Sequence, residues 1–253
     1  QIMKEIHNSK IITPITDGNI TILFRGKTFR GANKSDYDNQ IAAVHSIEKF
    51  VITPIKRTFP NCNINVIICT YENKLNIELA KIFKKDYGHN VELFHIPNDV
   101  AGQIYSYKCA LGCIREENEF VFILRPDLIF QKEIDLSRAD KDKILFQWNL
   151  FTHYTIKRVP DQYQFVGGNV FNKYKELVLN KKIDTINAGT LHNLYNFLIK
   201  HNWSLDNISY LNYIKNPNPN DPDCAIKGDP SNRLGNPMFN YTIKSKGTRR
   251  ITN

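Results

Sequence analysis

From Asn19 to Leu124 the chain alternates between two kinds of apolar spacing. Continuous runs rich in β-branched and aliphatic residues, Asn19–Phe24, Ile64–Cys69, Val91–Ile96 and Phe120–Leu124, predict short strands. Between them, apolar residues recur every three or four positions, the spacing of one helix face. The first such stretch starts at Ser35 or Asp36, either of which can cap a helix, and carries Ile41, Val44, Ile47, Phe50 and Val51 to about Arg57. The second covers Leu75–Tyr87 and stops near Gly88. The third covers Ala101–Glu117, with Ile104, Cys109, Ala110, Cys113 and Ile114 as its apolar positions. Phe120–Leu124 contains no polar residue, which predicts a strand buried on both faces. Repeated strand–helix alternation implies a Rossmann-like, mostly parallel α/β sheet with helices on both faces and right-handed crossovers.

Beyond this the alternation loosens. Ile144–Trp148 and Gln164–Val170 read as strands, Leu191–His201 as a helix, and Ile208–Ile214 as a strand or short helix. Asn216–Asp229, rich in Pro, Asn and Asp, reads as an irregular loop or lid, followed by a basic tail after Ile243. At 253 residues the chain is near the upper limit for a single core, so residues 1–18 are expected as a lead-in and 19–253 as one domain. The sequence starts at Gln1, as a piece of a longer protein would.

Composition narrows the class only modestly. Hydrophobic residues at 42% and charged residues at 23% are ordinary for a globular protein, and no run approaches the roughly 20 apolar residues of a membrane span. A soluble, cytoplasmic protein is expected. The net charge of +9 favours phosphate-bearing ligands, nucleic acid or anionic membrane, but the basic residues are dispersed in the manner of solvated faces. Cys62, Cys69, Cys109, Cys113 and Cys224 show neither CxxC pairs nor zinc spacing and are expected as reduced thiols.

In an open parallel sheet, ligands gather at the carboxyl ends of the strands, where loops and helix N-termini converge. Here those ends are Arg25–Arg30, Thr70–Asn73, Pro97–Asp99 and Arg125–Asp127. Their cations and amides suit phosphate, and their carboxylates suit ribose hydroxyls or a divalent ion. Gly26-Lys27-Thr28 lacks the earlier glycine of a P-loop, and there is no GxGxxG, which argues against kinase, ATPase and dehydrogenase chemistry. Arg25, Lys27 and Arg30 could hold a pyrophosphate or form a solvated basic loop.

The stretch Gly102-Gln-Ile-Tyr-Ser-Tyr-Lys-Cys-Ala-Leu-Gly-Cys-Ile-Arg-Glu-Glu-Asn-Glu-Phe-Val-Phe-Ile-Leu-Arg-Pro-Asp127 resembles the signature of GT-A-type, sugar-nucleotide-dependent glycosyltransferases. In that signature a small-residue helix leads through a charged turn into a buried strand ending in an acidic motif. Leu23-Phe24-Arg25-Gly26 and Cys69-Thr70-Tyr71 are similar to the first two strands of the family, whose ends hold the nucleoside. The resemblance covers roughly residues 19–175. It implies a GT-A-like fold with a nucleotide-sugar-binding half (19–135) and an irregular acceptor-side half (136–253). It also implies a donor site of Arg25, Gly26, Arg30, Thr70, Asn98, Lys108, Arg125 and Asp127. The family's Asp-x-Asp is here Arg125-Pro126-Asp127, so a manganese or magnesium cofactor on Asp127, with His192 as a further ligand, is conditional. Arg125 could itself neutralise diphosphate or pair with a carboxylate, and His192 reads first as a helix-surface histidine and only second as a metal ligand.

Val159-Pro-Asp-Gln-Tyr-Gln-Phe-Val-Gly-Gly-Asn-Val-Phe-Asn-Lys-Tyr-Lys175 resembles the acceptor-side segment of these enzymes. Asp161 is its candidate base for the acceptor hydroxyl, the alternative being a turn aspartate after Pro160. His153 and His192 are weaker candidates for the same task. Gly167-Gly168 reads as a tight turn or bulge, and Tyr163 and Trp148 as sugar-stacking or core aromatics. The implied activity is sugar transfer from a nucleoside diphosphate sugar to a glycan, lipid or protein hydroxyl, in glycan biosynthesis, without nucleic acid as partner. The alternatives are a sugar-nucleotide nucleotidyltransferase, whose glycine-rich activating loop is missing, and a non-catalytic basic nucleic-acid-binding module, for which no recognition motif is present.

Overall fold

Asn19–Arg25 (β1) is buried from Ile20 onward because its side chains feed two cores: Ile20, Ile22 and Phe24 point to one face of the sheet and Leu23 to the other. The computed structural model describes residues 18–29, 34–99, 102–148, 150–151, 157–159, 161–183, 191–212 and 241–243. Helix α1 (Lys34–Ile47) continues through a π-helical stretch, Glu48–Ile52, into α2 (Thr53–Thr58). Pro54, which has no N–H to donate, sits at that change of bonding pattern. Then come β2 (Asn63–Tyr71), α3 (Asn76–Lys81) with a π-helical extension Ile82–Asp86, and β3 (Asn90–Ile96). Helix α4 (Gln103–Cys113) leads to β4 (Phe120–Leu124) and the short β5 (Leu128–Phe130). The second half supplies β6 (Ile144–Trp148), β7 (Leu150–Phe151), β8 (Lys157–Arg158), β9 (Tyr163–Gly167) and α5 (Gly168–Asn180). A 3₁₀ turn Leu191–Asn193, α6 (Leu194–Lys200), β10 (Ile208–Asn212) and β11 (Tyr241–Ile243) complete the described chain.

The protein is a mixed α/β fold built on one seven-stranded sheet, order β10-β6-β9-β4-β1-β2-β3. β1 pairs in parallel with β2 and β4, as do β2 with β3 and β6 with β10; β9 alone runs antiparallel, between β4 and β6. Two small antiparallel pairs, β5–β11 and β7–β8, lie outside it. Val44 and Ile47 of α1, Ile55 of α2 and Leu79 of α3 pack on one face, whereas α4, α5 and α6 cover the other with Tyr107, Leu111, Phe171, Tyr174, Leu194 and Phe197. Phe120–Leu124 is buried throughout, as its unbroken apolar run predicts.

The β9 region departs from the sequence reading. The strand ends at Gly167, and Gly168 opens α5, a helix that the expected strand Gln164–Val170 had overrun. The two glycines form neither bulge nor turn; they allow backbone to pass backbone. A Cβ on Gly167 would lie 2.2 Å from the Lys141 carbonyl oxygen, and one on Gly168 would lie 2.0 Å from that of Asn118. The close approach is used, since Gly167 N–H donates to Lys143 O and Gly168 N–H to Glu119 O, both at 2.8 Å. The other misplaced boundaries are smaller: α4 is confined to Gln103–Cys113, and the helix expected over Leu191–His201 opens as a 3₁₀ turn.

Cys62, Cys69, Cys109 and Cys113 are free thiols. Among the described residues, no helix is long and apolar enough to cross a membrane. Residues 1–17 of the expected lead-in, the Asn216–Asp229 lid, the basic tail, Arg30 and His153 lie outside the described residues.

From β1 the chain moves outward to β2 and β3, then returns to place β4 on the opposite side of β1. The order therefore reverses between β1 and β4, and such a reversal opens a crevice at the carboxyl ends of the two strands. Arg25 ends β1 there, and Arg125 follows directly on β4.

Candidate functional site

The loop after β1 is shaped by Gly26, whose φ of 99° lies in the region that disfavours a Cβ. It turns Thr28 onto the end of β2: Thr28 N–H donates to Thr70 Oγ1 at 3.2 Å, and the two hydroxyls lie 3.1 Å apart. Thr28 Oγ1 in turn donates to Asn76 Oδ1, so Thr70 donates to Thr28. Thr70, buried in this chain, fastens the β1 loop to β2 and α3. From α1, Gln40 accepts from Phe29 N–H at 3.1 Å and donates to the Pro126 carbonyl at 2.6 Å. One amide thus spans the crevice, tying the loop after β1 to the loop after β4.

On the β4 side, Arg125 clasps Asp127. Its Nε donates to Oδ1 at 2.9 Å and its Nη2 to Oδ2 at 2.6 Å, a two-point pairing that fixes both planes. The guanidinium is the more accessible partner, its side chain 15% exposed against 4% for the carboxylate. Arg125 N–H also donates to Gln162 O at 3.0 Å, which brings the start of β9 alongside.

Arg25 lies deeper. Its Nη2 is 3.7 Å from Asp161 Oδ2 and donates to the Asp161 carbonyl, while the guanidinium sits 5.6 Å from the centroid of the Tyr107 ring. Burial lowers its pKa from the usual arginine value; Asp161 opposes that shift and Arg125 adds to it. Asp161 is buried as well. Burial alone would raise its pKa, but Arg25, Arg125, His192 and the Gln103 amide together prevail and hold it below the ordinary carboxylate value.

Gln103, at the start of α4, donates to Asp161 Oδ2 and accepts from Leu191 N–H at 3.2 Å. The same turn carries His192, whose Nε2 is 3.8 Å from Asp161 Oδ1 and whose Nδ1 is 2.8 Å from Val159 O. A carbonyl can only accept, so Nδ1 carries the proton and Nε2 faces the carboxylate. Val159 N–H returns a bond to His192 O at 3.1 Å. Below this layer Tyr107 donates to Gln164 Oε1 at 2.5 Å and meets the Tyr174 hydroxyl at 2.6 Å, and burial raises the pKa of both phenols.

Of the residues singled out from the sequence, Arg25, Arg125, Asp127, Asp161 and His192 therefore form one electrostatic cluster at the β1–β4 crevice. Gly26 and Thr70 shape its rim. Asn98 stands farther along the sheet edge, where its amide donates to Glu72 O at 3.1 Å beyond β2 and β3. Lys108 is directed elsewhere: its ammonium donates to Lys181 O at 2.9 Å and reaches Leu179 O at the carboxyl end of α5. Tyr163 is buried against Phe122 and Phe130, a core position.

A manganese or magnesium ion does not fit this arrangement. Each oxygen of Asp127 already accepts from Arg125, so an ion there would sit beside a guanidinium. His192 turns Nδ1 to a carbonyl and Nε2 towards Asp161. Among the described residues, no three His, Cys, Asp or Glu side chains are grouped as a metal site, whereas these hard ions take several oxygen ligands.

Gln40, Asn76, Gln103, Tyr107, Gln164 and Tyr174 were not anticipated. The sequence does hold a signal for Gln40, which stands at helical spacing from Ala43, Val44 and Ile47 on the face that α1 buries.

No protein-family profile and no curated protein sequence matches the chain. Solved structures with a similar arrangement include the apo-form glycosyltransferase GlyE of Streptococcus pneumoniae, at 12% identity and a TM-score of 0.45, covering 78% of this chain and 45% of GlyE. The 4-diphosphocytidyl-2C-methyl-D-erythritol synthase of Anaerococcus prevotii aligns at 9% identity and a TM-score of 0.47, covering 79% of this chain and 90% of that one. The mannosyltransferase PcManGT of Pyrobaculum calidifontis, in complex with GDP-Man and Mn2+, aligns at 10% identity and a TM-score of 0.45, covering 74% and 54%. This chain thus spans less than half the length of GlyE. Likeness at these levels is confined to the general α/β arrangement.

Proposed function

We propose that the protein transfers a sugar from a nucleoside diphosphate sugar to a hydroxyl of a glycan, lipid or protein acceptor. The observation that carries this reading is the cluster of Arg25, Arg125, Asp127, Asp161 and His192 at the reversal of strand order, the place where an α/β sheet offers a polar crevice. The region up to about residue 135 would hold the nucleotide sugar, and the remainder would present the acceptor. Gly26 and the loop after β1 lie on the nucleoside side, and Arg125 with Asp127 lies at the diphosphate.

Transfer requires the acceptor oxygen to form a bond to the anomeric carbon. The bond from that carbon to the diphosphate oxygen breaks, the diphosphate keeping the electron pair, and the acceptor proton must be removed. Asp161 takes part in the last step chiefly as a fixed negative charge. Its carboxylate is enclosed by Arg25, Gln103 and His192 and held below the ordinary value, so it is a weak base. His192 Nε2, on a side chain 31% exposed, is the better placed acceptor of that proton, with Asp161 balancing the charge it gains.

The reading is tested by incubating the protein with UDP-glucose, UDP-galactose, UDP-N-acetylglucosamine and GDP-mannose and measuring nucleoside diphosphate release. At least one donor is expected to turn over, and Asp127→Ala to slow that turnover about 100-fold with the fold retained, the scale of losing one preorganised electrostatic group. No release from any donor, together with salt-dependent binding to oligonucleotides, would sink the reading in favour of a basic nucleic-acid-binding module.

A further inference from the structure

Asp127, the carboxylate expected to anchor a divalent ion, is already committed to a cation of the chain's own. Arg125 and Asp127, two residues apart, form a bidentate pair in which the guanidinium is the more exposed member, at the mouth of the crevice. Behind it stands Arg25, paired with Asp161. The two arginines are close enough for Arg125 to depress the pKa of Arg25, so two guanidinium groups converge on the crevice, each paired with one buried aspartate.

Resting on the donor-site reading above, we propose that Arg125, braced by Asp127, is the resident cation of the diphosphate site and that donor binding proceeds without a divalent metal. A guanidinium suits this task. It is charged at every accessible pH, and its planar fork offers N–H donors matched to phosphate oxygens. Asp127 then serves as a positioning residue: its two bonds fix the orientation of the fork before the ligand arrives. When the bond to the anomeric carbon breaks, the electron pair stays on the diphosphate oxygen, and the charge collects beside a group already in place.

The test titrates UDP, GDP and CDP into the intact protein by calorimetry, once in EDTA and once in manganese. At least one nucleotide is expected to bind in EDTA with a Kd within about twofold of its value in manganese. Arg125→Ala should weaken that binding at least about tenfold in both buffers, the scale of losing a charge-assisted hydrogen bond. Arg125→Asp, which creates a carboxylate pair, should lose binding in EDTA and regain part of it in manganese. Circular dichroism confirms that each variant is folded, and the comparison on the unaltered protein needs no variant at all. Binding in manganese that disappears in EDTA would overturn the proposal while leaving the donor-site reading intact. No binding in either buffer would overturn both.

Discussion

Asp161→Ala lowers the unfolding free energy by about 3–5 kcal/mol at neutral pH, the range for breaking a buried ion pair by removing one partner. The loss is large because of what stays behind. Arg25 is only 2% exposed, so without Asp161 it becomes a buried cation left with the weaker influence of Asp127, a carboxylate already clasped by Arg125. Gln103 loses the acceptor of its Nε2, and His192 loses the carboxylate facing its Nε2. The double substitution Arg25→Met with Asp161→Leu should cost less than Asp161→Ala alone, because it removes both charges. Urea unfolding of the two variants beside the unaltered protein measures the order, and equal losses for the single and double variants would contradict this account.

The same group sets an acid dependence. The folded pKa of Asp161 lies below its unfolded value of about 3.9, so its stabilising contribution is complete above that value. It is lost as pH falls from there through the folded pKa. In Asp161→Ala the stability curve should therefore flatten over that acid window.

Gly168→Ala is the second large effect, expected to cost about 3 kcal/mol, the upper end for over-packing. The added methyl would lie 2.0 Å from the Asn118 carbonyl oxygen and 2.9 Å from that of Glu119. Those oxygens belong to the backbone entering β4, which has no rotamer with which to yield. Movement there would displace the strand that delivers Arg125 and Asp127. Gly112→Ala, near the end of α4, is the matched control: nothing lies within 4 Å of its added Cβ, so it should raise stability by up to about 1 kcal/mol. Thermal unfolding separates the two, and a tolerated Gly168→Ala would show that the β9–α5 junction is looser than described.

How much of this could be read from the sequence depends on the range over which each feature is encoded. Phe120–Leu124 was found with its observed boundaries because a strand buried on both faces writes itself as an unbroken apolar run; Ile144–Trp148 was found as well, although Gln147 interrupts its apolar run. The helix α5 was hidden behind Gly167-Gly168, a pair that by itself signals a turn. Its real cause is the approach of Lys141 and Asn118, which no local spacing encodes. The π-helical stretches after α1 and α3 likewise leave the apolar periodicity almost unchanged. The candidate site divides the same way. The position of Asp127 at the end of a buried strand was visible, and its partner lies two residues away. The burial of Asp161 against Arg25 joins residues 136 positions apart, so the aspartate could be singled out as reactive without its restraint being visible. Gln103 joins Asp161 to Leu191 across comparable distances in the chain, and nothing local distinguished it from any helix-opening glutamine.

The most direct measurement is a crystal structure of the protein grown with whichever nucleoside diphosphate binds in calorimetry. The diphosphate should lie at the carboxyl ends of β1 and β4, within hydrogen-bonding distance of Arg125. Density for it at the amino ends of the strands, for example in the cavity of about 670 Å³ lined by Asn63, Asn65 and His89, would contradict the account.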